Sequence, residues 1–167
     1  FVPFWSIVSS GEFLANGPKR EVLTLSEPHR HKEIEAIKSL YSLSTFISIN
    51  DQYIFPQGEL ECSVDSQNLS DIFIFCPVSA SPVDGKNLRN YLSNFSQLLQ
   101  KIMAANPSLA SRKFRITIVT SNGFVVDSND QPSYEASVIR GFASVLGKEI
   151  ENWSVCVVDL SSSSDFD

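Results

Sequence analysis

Apolar residues recur along the chain in two alternating patterns, short continuous runs and longer stretches with the period of a helix. Short runs of apolar and β-branched residues are typical of buried strands, whereas apolar residues repeated every three or four positions are typical of amphipathic helices. Residues 52–70 fit neither pattern clearly, and a short hairpin around residues 56–58 is one interpretation of them. The short runs predict strands at residues 4–8, 21–25, 45–49, 72–78, 114–119 and 154–158.

Three stretches have the helical period. The first follows the Ser-Glu-Pro sequence at residues 26–28, a typical helix start, and places Ile34, Ile37 and Tyr41 on one face. The second spans residues 87–105 and ends at Asn106-Pro107, because the residue before a proline disfavours the helical conformation. The third begins at Pro132-Ser133, and we expect its core-facing side chains to be Tyr134, Val138, Phe142, Val145 and Leu146.

This alternation of strands and helices predicts the fold class. Apolar strands separated by amphipathic helices are typical of βαβ units, whose right-handed crossovers give a parallel sheet. We therefore expect an α/β protein with a truncated Rossmann-like or flavodoxin-like fold, a mostly parallel sheet and helices on both faces. Strands 72–78, 114–119 and 154–158 are expected at its centre. The 167 residues suit one domain, with an edge strand and loop in residues 1–20 and a linker at residues 161–167.

Composition and charge narrow the range of partners. The formal net charge is −6, so neither nucleic acid nor an anionic membrane is an expected partner, because both are bound through Lys and Arg. Cys62, Cys76 and Cys156 are an odd number without the spacing of a metal site, which favours a reducing, cytoplasmic location. No apolar run reaches the roughly 18 residues that can span a bilayer.

The glycine pattern argues against a bound nucleotide. A dinucleotide fingerprint needs Gly-x-Gly-x-x-Gly after the first strand, so that the backbone can approach the pyrophosphate. None of the seven glycines is separated from another by a single residue, and Glu27-Pro28 stands where the phosphates would lie. The segment Gly141 to Lys148 imitates a phosphate loop but lies inside a predicted helix, where Gly141 and Ala143 are better explained by close helix packing. We therefore expect no cofactor-binding residues and no cofactor.

Catalytic and metal-binding patterns are equally weak. Short-chain reductases need a Tyr with a Lys three or four residues further on, and none of the four tyrosines has one. The histidines of His29-Arg30-His31 diverge on a helix and have no cysteine nearby, so a solvated first helical turn explains them better than a metal site. We expect no catalytic residues, no metal-binding residues and no enzymatic activity of this chain on its own.

The last part of the chain resembles a known family. A helix from Ser133 to Glu149 is followed by Trp153 and a strand that ends Val158-Asp159-Leu160. This order resembles the end of the structural subdomain of modular polyketide-synthase ketoreductases. The strand at residues 114–120, the long helix before it and the aromatic pair Phe4-Trp5 fit the same family in order. Ala143 and Ser144 replace the Gly-Arg pair that is usual there.

The resemblance implies a scaffold rather than an enzyme. In that family the structural subdomain is a Rossmann-like fold without a cofactor site, and it braces a catalytic subdomain that carries the glycine-rich loop and the Ser, Tyr and Lys. The implied partners are that catalytic subdomain and other domains of the same megasynthase. The resemblance also allows a pseudo-ketoreductase that accompanies a methyltransferase.

Residue usage that is low in Arg and rich in Ser, Asn, Ile and Lys favours a bacterial source.

Two other hypotheses remain open at this point. A free-standing nucleotide- or flavin-binding α/β domain would need an anion-binding loop between a strand and a helix. A signalling-type α/β domain would need an acidic pocket at the strand ends, for which Asp159 is the best candidate.

Overall fold

The computed structural model describes residues 21–27, 30–41, 43–49, 69–76, 85–123 and 133–160. In these segments the strands and helices follow each other in the order that the apolar pattern predicts. The elements are β1 (Glu21–Ser26), α1 (His31–Leu40), β2 (Leu43–Ser48), β3 (Leu69–Phe75), α2 (Gly85–Ala105), a 3-10 turn (Pro107–Ala110), β4 (Phe114–Ser121), α3 (Tyr134–Glu149) and β5 (Trp153–Leu160).

The five strands form one sheet in the order β2-β1-β3-β4-β5, and every neighbouring pair is parallel. Parallel strands need crossover connections, and α1, α2 and α3 provide those from β1 to β2, from β3 to β4 and from β4 to β5. This confirms the predicted α/β, Rossmann-like fold. The order 2-1-3-4-5 is that of doubly wound sheets of the flavodoxin type, and it also results when the third strand is removed from the Rossmann order 3-2-1-4-5-6.

The helices divide between the two faces of the sheet. Successive side chains of a strand point to opposite faces, so β1 presents Leu23 and Leu25 to one face and Val22 to the other. We name the first the α2/α3 face and the second the α1 face. On the α2/α3 face, the central strands and two helices form one core, which contains Leu23, Leu25, Ile72, Ile74, Tyr91, Phe95, Leu98, Ile102, Ile116, Ile118, Ile139 and Ala143. On the α1 face, a smaller cluster contains Val22, Ile37, Phe75 and Val119.

The end of α2 is fixed by side-chain hydrogen bonds. Asn106 follows the helix, and its Oδ1 accepts from the backbone N–H of Ser108 at 3.2 Å, which starts the 3-10 turn before Pro107 can strain the helix. The turn then buries Leu109, whose carbonyl accepts from Nε1 of Trp153 at 2.8 Å. This bond satisfies the buried indole and attaches the start of β5 to the end of α2.

The structure corrects the predicted face of α3. The helix buries Glu135, Ala136, Ile139 and Ala143, whereas Tyr134 is 69% exposed and Val145 is 54% exposed. Phe142 and Leu146 are partly buried against the core, as predicted. Two apolar stripes of similar period run along this helix, and the one with small side chains faces the sheet because it lets the helix approach closely.

Two predictions about the strands are also corrected. β3 begins at Leu69, three residues before the predicted start, because Leu69 and Asp71 are buried beside β1 and β4. Within the described residues β5 pairs with β4 alone, so it is an edge strand rather than a central one. On β5, Trp153, Val155 and Val157 face α3, whereas Ser154, Cys156 and Val158 point to the other face and are exposed.

Several predictions fall outside the described residues: the strand at residues 4–8, the loop of residues 1–20, nearly all of the ambiguous stretch 52–70, and the linker at residues 161–167. Among the helices that the structure describes, none is both long and apolar enough to cross a membrane.

Candidate functional site

The carboxyl ends of β1 and β3 form the place where doubly wound folds bind ligands. The chain leaves β1 toward one edge of the sheet and leaves β3 toward the other, and a crevice opens where the connections diverge. In this protein β1 ends at Ser26, β3 at Phe75 and β4 at Ser121. This crevice is therefore where a nucleotide would be expected.

Arg30 lies across this crevice. It is the N-cap residue of α1, and its guanidinium places Nη1 3.4 Å from Oε1 of Glu33 and Nη2 3.3 Å from Oγ of Ser121. The same group lies over the ring of Phe75, with Cζ 5.4 Å from the ring centroid, a cation–π distance. The side chain is only 12% exposed. One arginine thus joins α1 to the ends of β3 and β4.

The backbone of the β1–α1 connection is folded tightly beside Arg30. The carbonyl of Glu27 accepts from Oγ of Ser26 at 3.2 Å and from the backbone N–H of Arg30 at 3.4 Å. The carbonyl of Arg30 in turn accepts from the N–H of Ile34 at 3.1 Å, which starts the helix. In a dinucleotide-binding fold this connection carries glycines that let a pyrophosphate approach the helix N-terminus. Here a side chain that spans the crevice stands in their place.

A second hydrogen-bonded group lies at the ends of β4 and β5. Oδ1 of Asp159 accepts from Oγ1 of Thr120 at 2.6 Å and from the backbone N–H of Gly123 at 2.8 Å. Asn122 has a φ of 55°, the left-handed conformation that Asn tolerates better than most residues. A Cβ atom on Gly123 would lie 2.9 Å from Cβ of Ala136, so only glycine fits between this turn and α3. Asp159 therefore holds the exit from β4 in place.

The N-terminus of α3 is occupied by its own cap. Oγ of Ser133 accepts from the N–H of Ala136 at 3.2 Å, and the N–H of Ser133 donates to the carbonyl of Asn122 at 2.7 Å. Glu135 lies in the first turn, where the helix dipole favours a negative charge, and its Oε2 accepts from Oγ of Ser133 at 3.1 Å. An anion at this helix N-terminus would have to displace the cap and approach a carboxylate.

The sequence predicted no catalytic, cofactor-binding or metal-binding residues. The histidines and tyrosines considered for such roles lie in separate parts of the structure. His31 is exposed in the first turn of α1, and His29 is outside the described residues. Tyr91 is buried in the core, whereas Tyr134 is exposed rather than buried as expected. In the described segments no three His, Cys, Asp or Glu side chains lie close enough together to hold a metal ion.

The segment that imitates a phosphate loop lies entirely inside α3, as predicted. Ala143 is buried, in agreement with the close-packing interpretation. Gly141 is exposed, and a Cβ atom there would meet nothing within 4 Å, so close packing does not explain that glycine.

The sequence did not identify Arg30, which lies across the carboxyl ends of β3 and β4. An arginine between two histidines at a helix start was interpreted as part of a solvated turn. Its partner Ser121 is 91 positions away in sequence, and no local pattern indicates that contact. The available signal was an Arg that directly follows the first strand-to-helix connection of a doubly wound fold.

No protein-family model and no curated protein sequence matches this chain. Solved structures match its fold. One is a short-chain dehydrogenase/reductase-family oxidoreductase from Brucella ovis in complex with a partially ordered NAD; it has 8% sequence identity and a TM-score of 0.53, and the match covers 84% of this chain and 82% of that one. Another is a variant of the actinorhodin polyketide ketoreductase with NADPH; it has 12% identity and a TM-score of 0.51, and the match covers 84% of this chain and 69% of that one. At these identities the likeness shows the Rossmann-like fold alone.

Proposed function

We propose that this chain is a non-catalytic structural subdomain of the ketoreductase region of a polyketide synthase. Its role is to brace a catalytic ketoreductase subdomain, or a neighbouring methyltransferase, during polyketide biosynthesis. The proposal assigns the chemistry to other domains of the same megasynthase and assigns no reaction to this chain.

One observation carries the proposal: Arg30 spans the crevice where the related reductase folds bind their cofactor. Its guanidinium contacts Glu33, Ser121 and Phe75, so it joins α1 to the ends of β4 and β3. Asp159 does the same for the ends of β4 and β5. Polar groups that contact each other in this way stabilise an edge. Nη1 and Nη2 of Arg30 are used in these contacts, whereas its Nε is buried without a hydrogen-bond partner among the described residues.

The sequence resemblance supports the same role. The helix that carries the resemblance, and the strand that follows it from Trp153, correspond to α3 and β5, two adjacent elements of the fold. Trp153 anchors the start of that strand through its bond to Leu109. The matched ketoreductase structure supports a relation at the level of the fold.

Calorimetric titration of the isolated chain with NADPH and with FMN tests the absence of a cofactor site. We expect no binding with a Kd below about 1 mM. Submillimolar binding of either ligand would overturn the proposal and favour the nucleotide- or flavin-binding alternative.

A second experiment tests the bracing role with this chain and its proposed partner produced as separate polypeptides. The adjoining reductase or methyltransferase segment is produced alone and together with this chain in trans. We expect the soluble yield and activity of that segment to require this chain, and Phe95→Ala, which disrupts the core, to reduce both. An adjoining segment that folds and works equally well alone would contradict the proposal.

A further inference from the structure

The face of α3 that points away from the sheet carries apolar side chains that the described residues leave largely uncovered. Tyr134 is 69% exposed and Val145 is 54% exposed, whereas Ile139 and Ala143 are buried on the opposite side of the helix. Because successive helical residues are rotated by about 100°, Tyr134 and Val145 lie on one face with Gly141 between them. We name this the outer face of α3. Exposed apolar patches of this kind are typical of surfaces that bind another protein.

Gly141 lies at the centre of the outer face, and the described part of the fold does not require it. A Cβ atom there would meet nothing within 4 Å, whereas a Cβ atom on Gly147 of the same helix would lie 3.5 Å from Cβ of Val155 in β5. Glycine inside a helix is destabilising relative to alanine, so its presence needs a reason. A second helix that crosses at this point supplies one, because the distance between two helix axes depends on the side chains at their contact.

We propose that two copies of this protein associate through the outer face of α3, with their α3 helices antiparallel and a two-fold axis at Gly141. In a contact of this symmetry, residue i of one copy faces residue j of the other, and j in turn faces i. Positions equally far before and after Gly141 in sequence therefore face each other. This association goes beyond the scaffold role proposed above and does not depend on it.

The side chains that face each other in this arrangement match large to small. Val145 lies four residues after Gly141 and faces Ser137 of the other copy, which lies four residues before it. Val138 faces Ser144 in the same way, and Gly141 faces Gly141. Opposed large and small side chains let two helices interdigitate. A second copy is favoured as the occupant because α3 itself supplies both members of every pair, a match that an unrelated segment would not require.

The two serines can enter this contact without losing a hydrogen bond. Oγ of Ser137 donates to the backbone carbonyl of Ser133 at 3.0 Å, and Oγ of Ser144 donates to that of Arg140 at 2.9 Å. Burial of a hydroxyl group is costly mainly when its hydrogen bond is not made. Both serines therefore present small side chains whose donors are already used within the helix.

The ends of the outer face also complement each other. Lys148 lies seven residues after Gly141 and Tyr134 seven residues before it, so each lysine faces the tyrosine ring of the other copy. An ammonium group over an aromatic ring is favourable. The antiparallel arrangement also places the positive N-terminal end of each helix dipole beside the negative C-terminal end of the other.

The length of α3 sets the strength that we expect. The helix has 16 residues, so the contact is about 24 Å long. One helix pair buries less than the roughly 800 Å² per partner of a standard stable interface. We therefore expect a weak, reversible dimer with a Kd on the order of 10 µM.

Sedimentation equilibrium of the whole chain over a range of concentrations tests the proposal. We expect a monomer–dimer equilibrium in the unaltered chain and a Kd at least tenfold higher in Gly141→Leu, because the new side chain separates the helices. The monomer has room for that side chain, so circular dichroism should show a folded protein. Ser39→Leu is the matched control, since it adds the same side chain at an exposed position of α1 and should leave the Kd unchanged.

A charge-pair rescue tests the antiparallel register. Val138→Asp should abolish the dimer, because its carboxylate would face a neutral serine in an apolar contact. Adding Ser144→Arg in the same chain should restore the dimer, since the new guanidinium of each copy then faces the new carboxylate of the other. Adding Ser39→Arg instead, on α1, should not restore it.

Each contrary result overturns the proposal. A chain that remains monomeric at about 200 µM does not associate through α3. A dimer whose Kd is unchanged in Gly141→Leu uses another surface, and a failure of Ser144→Arg to restore the dimer refutes the antiparallel pairing. If Gly141→Leu does not fold, Val145→Asp replaces it in the same measurement. The cofactor titration described above is independent of these results, so the two proposals can fail separately.

Discussion

The rings of Phe95 and Phe142 meet edge to face, with centroids 5.8 Å apart and planes at 90°. Phe95 belongs to α2 and is fully buried, while Phe142 belongs to α3 and is partly buried against the same core. This pair joins the two helices that cover one face of the sheet. The geometry is the one that aromatic quadrupoles favour.

We expect Phe95→Ala to lower the free energy of unfolding by about 3–5 kcal/mol, the usual cost of removing a buried phenylalanine. Phe142→Ala should cost less because part of its ring is exposed. In a double-mutant cycle measured by urea denaturation, the two rings should couple by about 0.5–1.5 kcal/mol. A coupling of zero would show that the rings pack independently.

The buried stripe of α3 gives a second prediction. Ile139 is fully buried, so Ile139→Ala should destabilise the protein by about 2–5 kcal/mol. Val145 is more than half exposed, so Val145→Ala should change the free energy of unfolding by less than about 0.5 kcal/mol. Thermal and urea unfolding of the two variants measure this difference. Similar losses of unfolding free energy in both variants would support the core face that was predicted from sequence.

Arg30 should resist conservative replacement. A lysine carries the charge but lacks the planar fork that reaches Glu33 and Ser121 while lying over Phe75. We therefore expect Arg30→Lys and Arg30→Met to lower the free energy of unfolding by similar amounts, about 1–2 kcal/mol.

Arg89→Met is the matched control for that experiment, since Arg89 is exposed on α2 and its loss should change stability by less than about 0.5 kcal/mol. Full retention of stability in Arg30→Lys would mean that charge alone matters at the carboxyl edge.

Asp159 should stabilise the exit from β4 through its two hydrogen bonds. Asp159→Ala leaves the N–H of Gly123 without this acceptor and should cost about 1–3 kcal/mol. Thr120→Val replaces the hydroxyl that donates to Asp159 with a methyl group of similar shape. We expect it to lower the free energy of unfolding by less than Asp159→Ala does. Hydrogen exchange of the Gly123 amide, followed by NMR, should accelerate in Asp159→Ala, and an unchanged exchange rate would show that this bond contributes little.

The parts of the fold that sequence predicted well are those in which local pattern and burial agree. The apolar stripe of α2 has one possible core face, and Phe95, Leu98 and Ile102 are buried on it. On α3 the sequence placed Phe142 and Leu146 correctly against the core but also placed Tyr134 and Val145 there, because only the neighbouring sheet decides which apolar positions face it. The edge position of β5 was also missed, since strand order depends on pairing between distant segments.

The arrangement at the carboxyl ends of the strands was the least predictable part of the structure, because it too depends on contacts between distant segments. The absence of a glycine loop is visible in the sequence, but the contact between Arg30 and Ser121 joins residues 91 positions apart. A local pattern can show which residues are available for such a contact. The fold alone determines that an arginine at the start of α1 reaches the end of β4.

The strand order also affects how the chain can fold as it is synthesised. β1 lies between β2 and β3, so it has both neighbours only after residues through Phe75 have left the ribosome; β3 lies between β1 and β4, so it has both only after residues through Ser121 have done so. β5 is added last and at an edge, so the four preceding strands can pair before it emerges. A pause in translation between β4 and β5 would give the nascent sheet time to close, whereas a pause before β3 would leave β1 with one open, apolar side.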